Sequence, residues 1–174
     1  MKSVKIIIAF LLMTSTVILG QKRNKKEDAI LKWNYELKCH GIGNNGEYLV
    51  KVFSLSKTRN LDLEIAKKNA VHGIIFKGVY SEDRSCTSQP ALVKDSNTEE
   101  QKREYFDIFF SDGGKYRKFV NLVANGAVDA GDRYTVKVGR KKYSKIGVVV
   151  SVNKNMLRKE LEDAGVIKKL TSGF

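Results

Sequence analysis

The sequence predicts an α+β fold: a mostly antiparallel sheet of about five strands, with three or four helices packed mainly on one face. Three observations carry this. Apolar and polar residues alternate with period two at 33–40 and again at 133–138. Helical spacing of apolar side chains appears in several separate stretches between and after them. The elements interleave unevenly, as β-β-α-β-α-α-β-β-α, and not in the regular strand-helix alternation of a parallel sheet.

Trp33, Tyr35, Leu37 and Cys39 alternate with Asn34, Glu36, Lys38 and His40, the pattern of a half-buried strand. Gly41 to Gly46 turns the chain, and Tyr48 to Leu55 is apolar on both faces except at Lys51 and Ser54, so it reads as a more central strand in a hairpin with the first. Asn60 caps a helix, with Asp62 and Glu64 in its positive first turn and Leu63, Ala66 and Ala70 on one face. Gly73 reads as the stop of that helix, and Gly73 to Tyr80 as a buried strand. A second helix starts at Thr98 and carries Tyr105, Phe106, Phe109 and Phe110; Asp112-Gly113-Gly114 interrupts it, and helical spacing resumes from Lys115 to Val123. Arg133 to Val138 is a strand, Gly139 to Lys142 a charged turn, and Lys145 to Val152 an apolar strand. Asn153 or Asn155 caps a last helix with Leu157, Leu161 and Ala164 on one face, ended by Gly165.

The first twenty residues give an address. Met1 to Lys5 is positively charged, Ile6 to Leu19 is uncharged and mostly apolar, and Gly20 precedes the polar Gln21-Lys22-Arg23. This is the layout of a secretory signal peptide, shorter than the roughly 20 apolar residues of a membrane span. The expected organisation is a signal peptide at 1–20, a flexible basic lead-in at 21–32 and a single α+β domain at 33–170, periplasmic or secreted, with no transmembrane segment after cleavage. The alternative is an uncleaved anchor that leaves the same domain outside the membrane.

Cleavage leaves 154 residues, enough to bury a core without staples. The whole chain carries +13; Lys2 and Lys5 leave with the signal, so the mature chain carries +11. Such a charge either keeps a surface solvated or attracts an anionic partner, here an envelope protein or an acidic envelope polymer. Nucleic acid is not the expected partner of an exported protein. Cys39 and Cys86 head for an oxidising compartment, and two arrangements are open. A bridge would close a loop of about 47 residues, whereas Cys39 on an apolar strand face also suits a free thiol.

Gly41-Ile42-Gly43-Asn44-Asn45-Gly46 spells a dinucleotide fingerprint, but a strand follows it where a helix is required, so it reads as a hairpin turn with Asn45-Gly46 at positive φ. His40 and His72 have no neighbouring carboxylate or nucleophile in sequence, and no hydrolase, zinc or P-loop motif is present. No cofactor or metal is expected, and catalysis would need a site around His40 or His72 assembled across the fold. The candidate contact residues are therefore Arg140, Lys141, Lys142 and Tyr143 at a hairpin tip. Gly113-Gly114 with Phe109 and Phe110 forms a candidate ligand or hinge loop, because two neighbouring phenylalanines cannot both bury against one flat sheet without a further cover.

The stretch Tyr48-Leu49-Val50-Lys51-Val52-Phe53, followed by Ala66-Lys67-Lys68-Asn69-Ala70-Val71-His72-Gly73-Ile74-Ile75-Phe76, resembles the small envelope domains related to the TolB N-terminal domain. That group includes outer-membrane lipoproteins of flagellar assembly and activators of penicillin-binding proteins. The chain also resembles secreted Bacteroidota proteins whose signal peptides end just before a glutamine. The likeness covers residues 33–80 and 126–165. It implies a docking module without catalytic residues, and the absence of a cysteine after Gly20 departs from the lipid-anchored members. The leading expectation is an exported envelope binding or assembly module; the alternative is a periplasmic protein that binds a small molecule or glycan near Gly113-Gly114.

Overall fold

A computed structural model of the chain describes residues 30–43, 47–81 and 86–169. The expected leader at 1–20, residues 21–29 of the lead-in and the Asn45-Gly46 turn lie outside the described residues. The chain divides into two units between Asn34 and Tyr35. In the first, Ile30 and Leu31 belong to a helical turn, closed by the Asn34 N–H on the Leu31 carbonyl at 3.4 Å. Trp33 has φ 56°, so it does not open the strand as its alternation predicts.

In the second unit, β1 (Tyr35–Ile42), β2 (Tyr48–Ser56), β3 (Val120–Leu122), β4 (Arg133–Val138) and β5 (Lys141–Val152) form an antiparallel sheet. The helices are α1 (Leu63–Phe76), α2 (Thr98–Gln101), α3 (Arg103–Phe109) and α4 (Lys154–Asp163). This is the α+β architecture that the alternation and helical spacing predict. The order across the sheet is β1-β2-β5-β3, and β4 pairs with the opposite end of β5 from β3. No helix among the described residues is long and apolar enough to cross a membrane.

Register places Tyr48, Val50, Val52 and Ser54 of β2 beside Val152, Val150, Val148 and Ile146 of β5, so these share one face. All are buried, and α1 packs on β2 and β5. Ala66 and Ala70 let the helix approach closely, and Asn69 Nδ2 donates to Ser54 Oγ at 2.8 Å, satisfying two buried polar groups.

Asp62, not Asn60, caps α1, accepting the Glu64 N–H at 2.9 Å. The Asn60 carbonyl instead accepts from the Ser56 and Thr58 hydroxyls. Gly73 does not stop the helix, which runs on to Phe76, and the strand expected at Gly73–Tyr80 is replaced by the last turn of α1 and an isolated Val79–Gln89 bridge. The reason is packing: a Cβ on Gly73 would stand 2.2 Å from Leu37 Cδ1, so the missing side chain lets β1 lie against the helix. The helix ends where the Lys77 and Gly78 N–H groups both reach the Gly73 carbonyl, at 2.9 and 2.8 Å.

Lys115 to Val123 is also not one helix. Lys115–Phe119 is a 3-10 turn, and Val120–Leu122 is β3, drawn into extension by pairing with Leu122, Asn121 and Val120 opposite Val150, Ser151 and Val152. Asn153 caps α4 by accepting the Met156 N–H at 3.0 Å, and Leu157 and Leu161 are buried while Ala164 is exposed.

The sheet face opposite α1 is a lattice of lysine stems and carboxylates. Lys51 Nζ is 2.5 Å from Asp132 and 3.6 Å from Asp129. Lys145 Nζ is 2.6 Å from Glu36, which Lys38 also approaches at 3.6 Å. Lys38 and Lys145 lie over the Phe53 ring, at 5.3 and 5.8 Å from its centroid. The Lys145 hydrogen bond holds the Glu36 carboxyl below the usual range, and the Asp132 hydrogen bond raises Lys51.

Candidate functional site

The expected contact residues separate once the β4–β5 hairpin is built. Gly139 has φ +61° and Arg140 does not share a positive φ, the pattern of a type II′ turn that matches the twist of the flanking strands. Register then follows: Val138 faces Lys141, Lys137 faces Lys142 and Val136 faces Tyr143. Arg140, Lys141 and Lys142 are exposed, as a tip requires. Tyr143 is only 3% exposed, so it is not an outward contact: alternation along β5 sets it on the face away from Lys142, the face it shares with Lys145, and its ring is covered there.

The hairpin adds a residue that spacing alone does not reveal. Lys137 stands directly across from Lys142, and both are exposed. Like charges placed opposite each other in a sheet oppose folding. Among the described residues no carboxylate pairs with Lys137, Arg140 or Lys142. Lys38, Lys51 and Lys145, on the same sheet, each have an acidic partner. Lys137, Arg140 and Lys142 thus form a cationic cluster that no carboxylate among the described residues neutralises.

The aromatic segment closes on itself. Phe109 is 1% and Phe110 8% exposed, so neither waits for a partner. The cover comes from the 3-10 turn after the interruption: Phe119 stacks on Phe109 at 6.0 Å between centroids, and Tyr116 lies 6.1 Å from Phe110. Gly113-Gly114 makes that return, and a Cβ on Gly114 would stand 2.4 Å from the Phe109 carbonyl oxygen. The pair is a tight helix-to-turn connection, which removes the aromatic walls that a ligand loop there would need.

Cys39 and Cys86 are joined by a disulfide, with Cα atoms 6.0 Å apart. Tyr48 fixes the same corner, its hydroxyl donating to the Thr87 carbonyl at 2.6 Å and lying 3.2 Å from Cys39 Sγ.

His40 is exposed on β1, while His72 is 4% exposed by side chain and sits at the centre of a polar chain that crosses three elements. Its Nδ1 is 2.6 Å from the Tyr35 hydroxyl of β1, and its Nε2 is 3.2 Å from Glu99 Oε1 of α2. When the carboxylate accepts from Nε2–H, Nδ1 carries the lone pair and the phenol donates to it. Phe76 and Phe110 flank the imidazole at 4.8 and 5.8 Å, and the Lys77 ammonium lies 3.9 Å from the centre of the Tyr35 ring. Hydroxyl, imidazole and carboxylate in this order match the order of a nucleophilic triad. The electrostatics oppose that use. Burial, and then the negative charge of Glu99, push the Tyr35 phenol well above its ordinary value, whereas an activated nucleophile needs its proton loosened. The trio ties β1, α1 and α2 together. Neither Tyr35 nor Glu99 stands near His72 in sequence, so only the fold reveals it. Among the described residues no group of three or more His, Cys, Asp or Glu side chains converges on a metal position.

A second cluster joins α1 to the 3-10 turn. Glu64 accepts from Lys67 Nζ at 2.9 Å, Tyr116 hydroxyl at 2.7 Å and Arg117 Nε at 2.8 Å. These bonds lower its carboxyl from 4.5 to about 2, Lys67 being the largest cause. A depressed carboxyl stabilises the fold above the unfolded value and loses that contribution as pH falls through the folded one. After allowance for solvent screening, Glu64→Gln is expected to lose about 1–2 kcal/mol at pH 7. In urea melts the gap between wild type and variant should shrink to a small fraction by about pH 2.5. An equal gap at both pH values would assign the effect to packing.

Compared with known protein families, characterised proteins and solved structures, the chain matches none.

Proposed function

We propose that the protein is an exported envelope module that binds and does not catalyse, and that it docks on an anionic envelope component through the β4–β5 hairpin. The observation that carries this is the Lys137–Lys142 pair with Arg140 at the turn between them, a like-charged arrangement without a carboxylate partner among the described residues. An arrangement that opposes folding is accounted for when an anion neutralises it in the bound state. Three further features support the reading. Residues 1–20 have the layout of a secretory signal. The Cys39–Cys86 disulfide suits an oxidising compartment. The mature charge of +11 favours anionic surfaces. The resemblance to TolB N-terminal-like envelope domains points the same way, toward docking. The second reading, a glycan or small-molecule site at Gly113-Gly114, has less support because Phe109 and Phe110 are committed to the core.

The test is binding of the purified protein to isolated Gram-negative envelopes. Lys137→Glu, Arg140→Glu and Lys142→Glu together are expected to weaken binding about tenfold or more, with a smaller difference at high salt. Lys94→Glu, Lys102→Glu and Lys118→Glu make the same change in net charge at scattered exposed positions. Equal losses in the two triple variants would replace the hairpin with a general charge effect and sink the proposal.

A further inference from the structure

The hairpin's outer strand suggests what the anionic partner is. β4 pairs with β5 on one side only, and among the described residues nothing pairs with its other edge. Its register runs unbroken from Arg133 opposite Ile146 to Val138 opposite Lys141, with no bulge and no proline to spoil the edge. In an antiparallel strand alternate residues turn both N–H and C=O outward, so this edge offers about half of its six residues as a free ladder.

The two faces of β4 differ in chemistry. Arg133, Thr135 and Lys137 share the face of Ile146, all three are exposed, and Lys142 adds a further cation on that face from the neighbouring strand. Among the described residues Arg133 also has no carboxylate partner. Tyr134, Val136 and Val138 share the other face, with Tyr134 exposed and both valines half-buried. A strand added alongside would present its own side chains alternately to these two faces. One set would meet a row of cations, and the other an aromatic and apolar row.

We infer that β4 takes an extended protein segment in which acidic residues alternate with apolar ones, added edgewise as the next strand of the sheet. This rests on the hairpin-docking reading and narrows it to a partner class. An acidic polymer would satisfy Arg133, Lys137 and Lys142 but would leave the backbone edge and the Tyr134–Val136–Val138 row unused. A second copy of this chain fits poorly, because the antiparallel register centred on Thr135 sets Arg133 opposite Lys137 of the other copy. Lysine and arginine on an edge also discourage such self-pairing, and an acidic strand reverses that disfavour.

The experiment uses the purified chain and a fluorescent peptide of about eight alternating glutamate and valine residues, read by anisotropy. Controls are a peptide of equal composition with its glutamates and valines in two blocks, and the alternating peptide N-methylated at every second residue, made in both frames. Binding of the alternating peptide should be about tenfold or more tighter than binding of the block peptide, and one methylated frame should lose it by a similar factor because its donors to β4 are gone. Arg133→Glu with Lys137→Glu and Lys142→Glu should invert the preference, so that an alternating lysine–valine peptide binds instead. Block and methylated peptides that bind within about threefold of the alternating one would overturn strand addition while leaving anionic docking intact. Binding to phosphatidylglycerol vesicles but to none of the peptides would do the same and assign the surface to lipid. A concentration-dependent dimer in sedimentation, strengthened by Lys137→Glu because the new carboxylate faces Arg133 of the other copy, would make a second copy the occupant and overturn the inference. Failure to bind every anionic probe, with no difference between the two triple variants on isolated envelopes, would remove the docking reading as well.

Discussion

Replacing both Cys39 and Cys86 by alanine is expected to lower stability by about 4 kcal/mol, the entropy of closing a loop of 47 residues in the unfolded chain. For a domain of this size that corresponds to a fall in Tm of roughly 8–16 °C. The folded state loses little packing, because Tyr48 still anchors Thr87 at 2.6 Å and the Val79–Gln89 bridge holds the other end of the segment at 2.7 and 2.8 Å. Leu92 and Val93 are fastened separately to the Ile74 and Ile75 carbonyls. Reduction of the wild type should therefore reproduce the loss seen in the double variant, since both act on the unfolded ensemble. The check is a denaturant melt of oxidised wild type, reduced wild type and Cys39→Ala/Cys86→Ala. Reduced and oxidised wild type melting within about 2 °C of each other would show that the bridge contributes nothing. The two sequence readings of Cys39 are compatible in one respect: it does lie on the inward face, opposite Val50, and from that face it reaches the buried Cys86.

Where the pattern of a segment has a single cause, the sequence alone shows the structure. β4 has one solvent face at Arg133, Thr135 and Lys137, and its alternation marks Arg133–Val138 residue for residue. β2 lies between β1 and β5, which its two apolar faces announce. The end of α1 is different. Ala70, Val71, His72, Gly73, Ile74 and Ile75 are all buried in succession, because the sheet covers one side and other parts of the chain the rest. A helix buried all round loses its amphipathic stripe, and a short apolar run then reads equally as a strand. Gly73 compounds this, since a glycine that admits Leu37 and Tyr35 looks, in sequence, like a helix stop. Lys115–Phe119 fails for a related reason: Tyr116 and Phe119 are three apart, a spacing that a 3-10 turn uses as readily as an α-helix. At the hairpin, Arg140 to Lys142 is legible as a charge run, whereas Lys137 joins it only through register. With a two-residue turn placed at Gly139-Arg140, that pairing could have been read in advance. Tyr35, His72 and Glu99 are separated by 37 and 27 residues, and no local signal connects them.

Phe109→Ala is expected to cost about 3–5 kcal/mol, the usual range for deleting a buried phenyl ring. Phe109 meets Phe110 edge-on at 4.9 Å, Tyr105 at 5.7 Å, Phe119 at 6.0 Å and Phe106 at 6.4 Å, so its loss opens a cavity among rings held on two separate elements. The 3-10 turn that carries Phe119 cannot collapse freely into the space. Phe119 is followed directly by β3, whose pairing with β5 fixes it, and its carbonyl accepts the Asn153 N–H at 2.9 Å. Ile108, one residue earlier and 71% exposed, is the matched control, and its change to alanine should shift stability by less than about 0.5 kcal/mol. The pair also separates core from docking surface. A surface aromatic, when removed, lowers binding and spares the melt; a core aromatic lowers the melt and, at temperatures where the variant stays folded, spares the binding. Phe109→Ala is expected to behave in the second way, with envelope binding unchanged per folded molecule because the hairpin cations lie on other elements. A Phe109→Ala protein that melts with the wild type but loses its envelope binding would return the aromatic segment to the contact surface and dislodge the β4–β5 hairpin from that role.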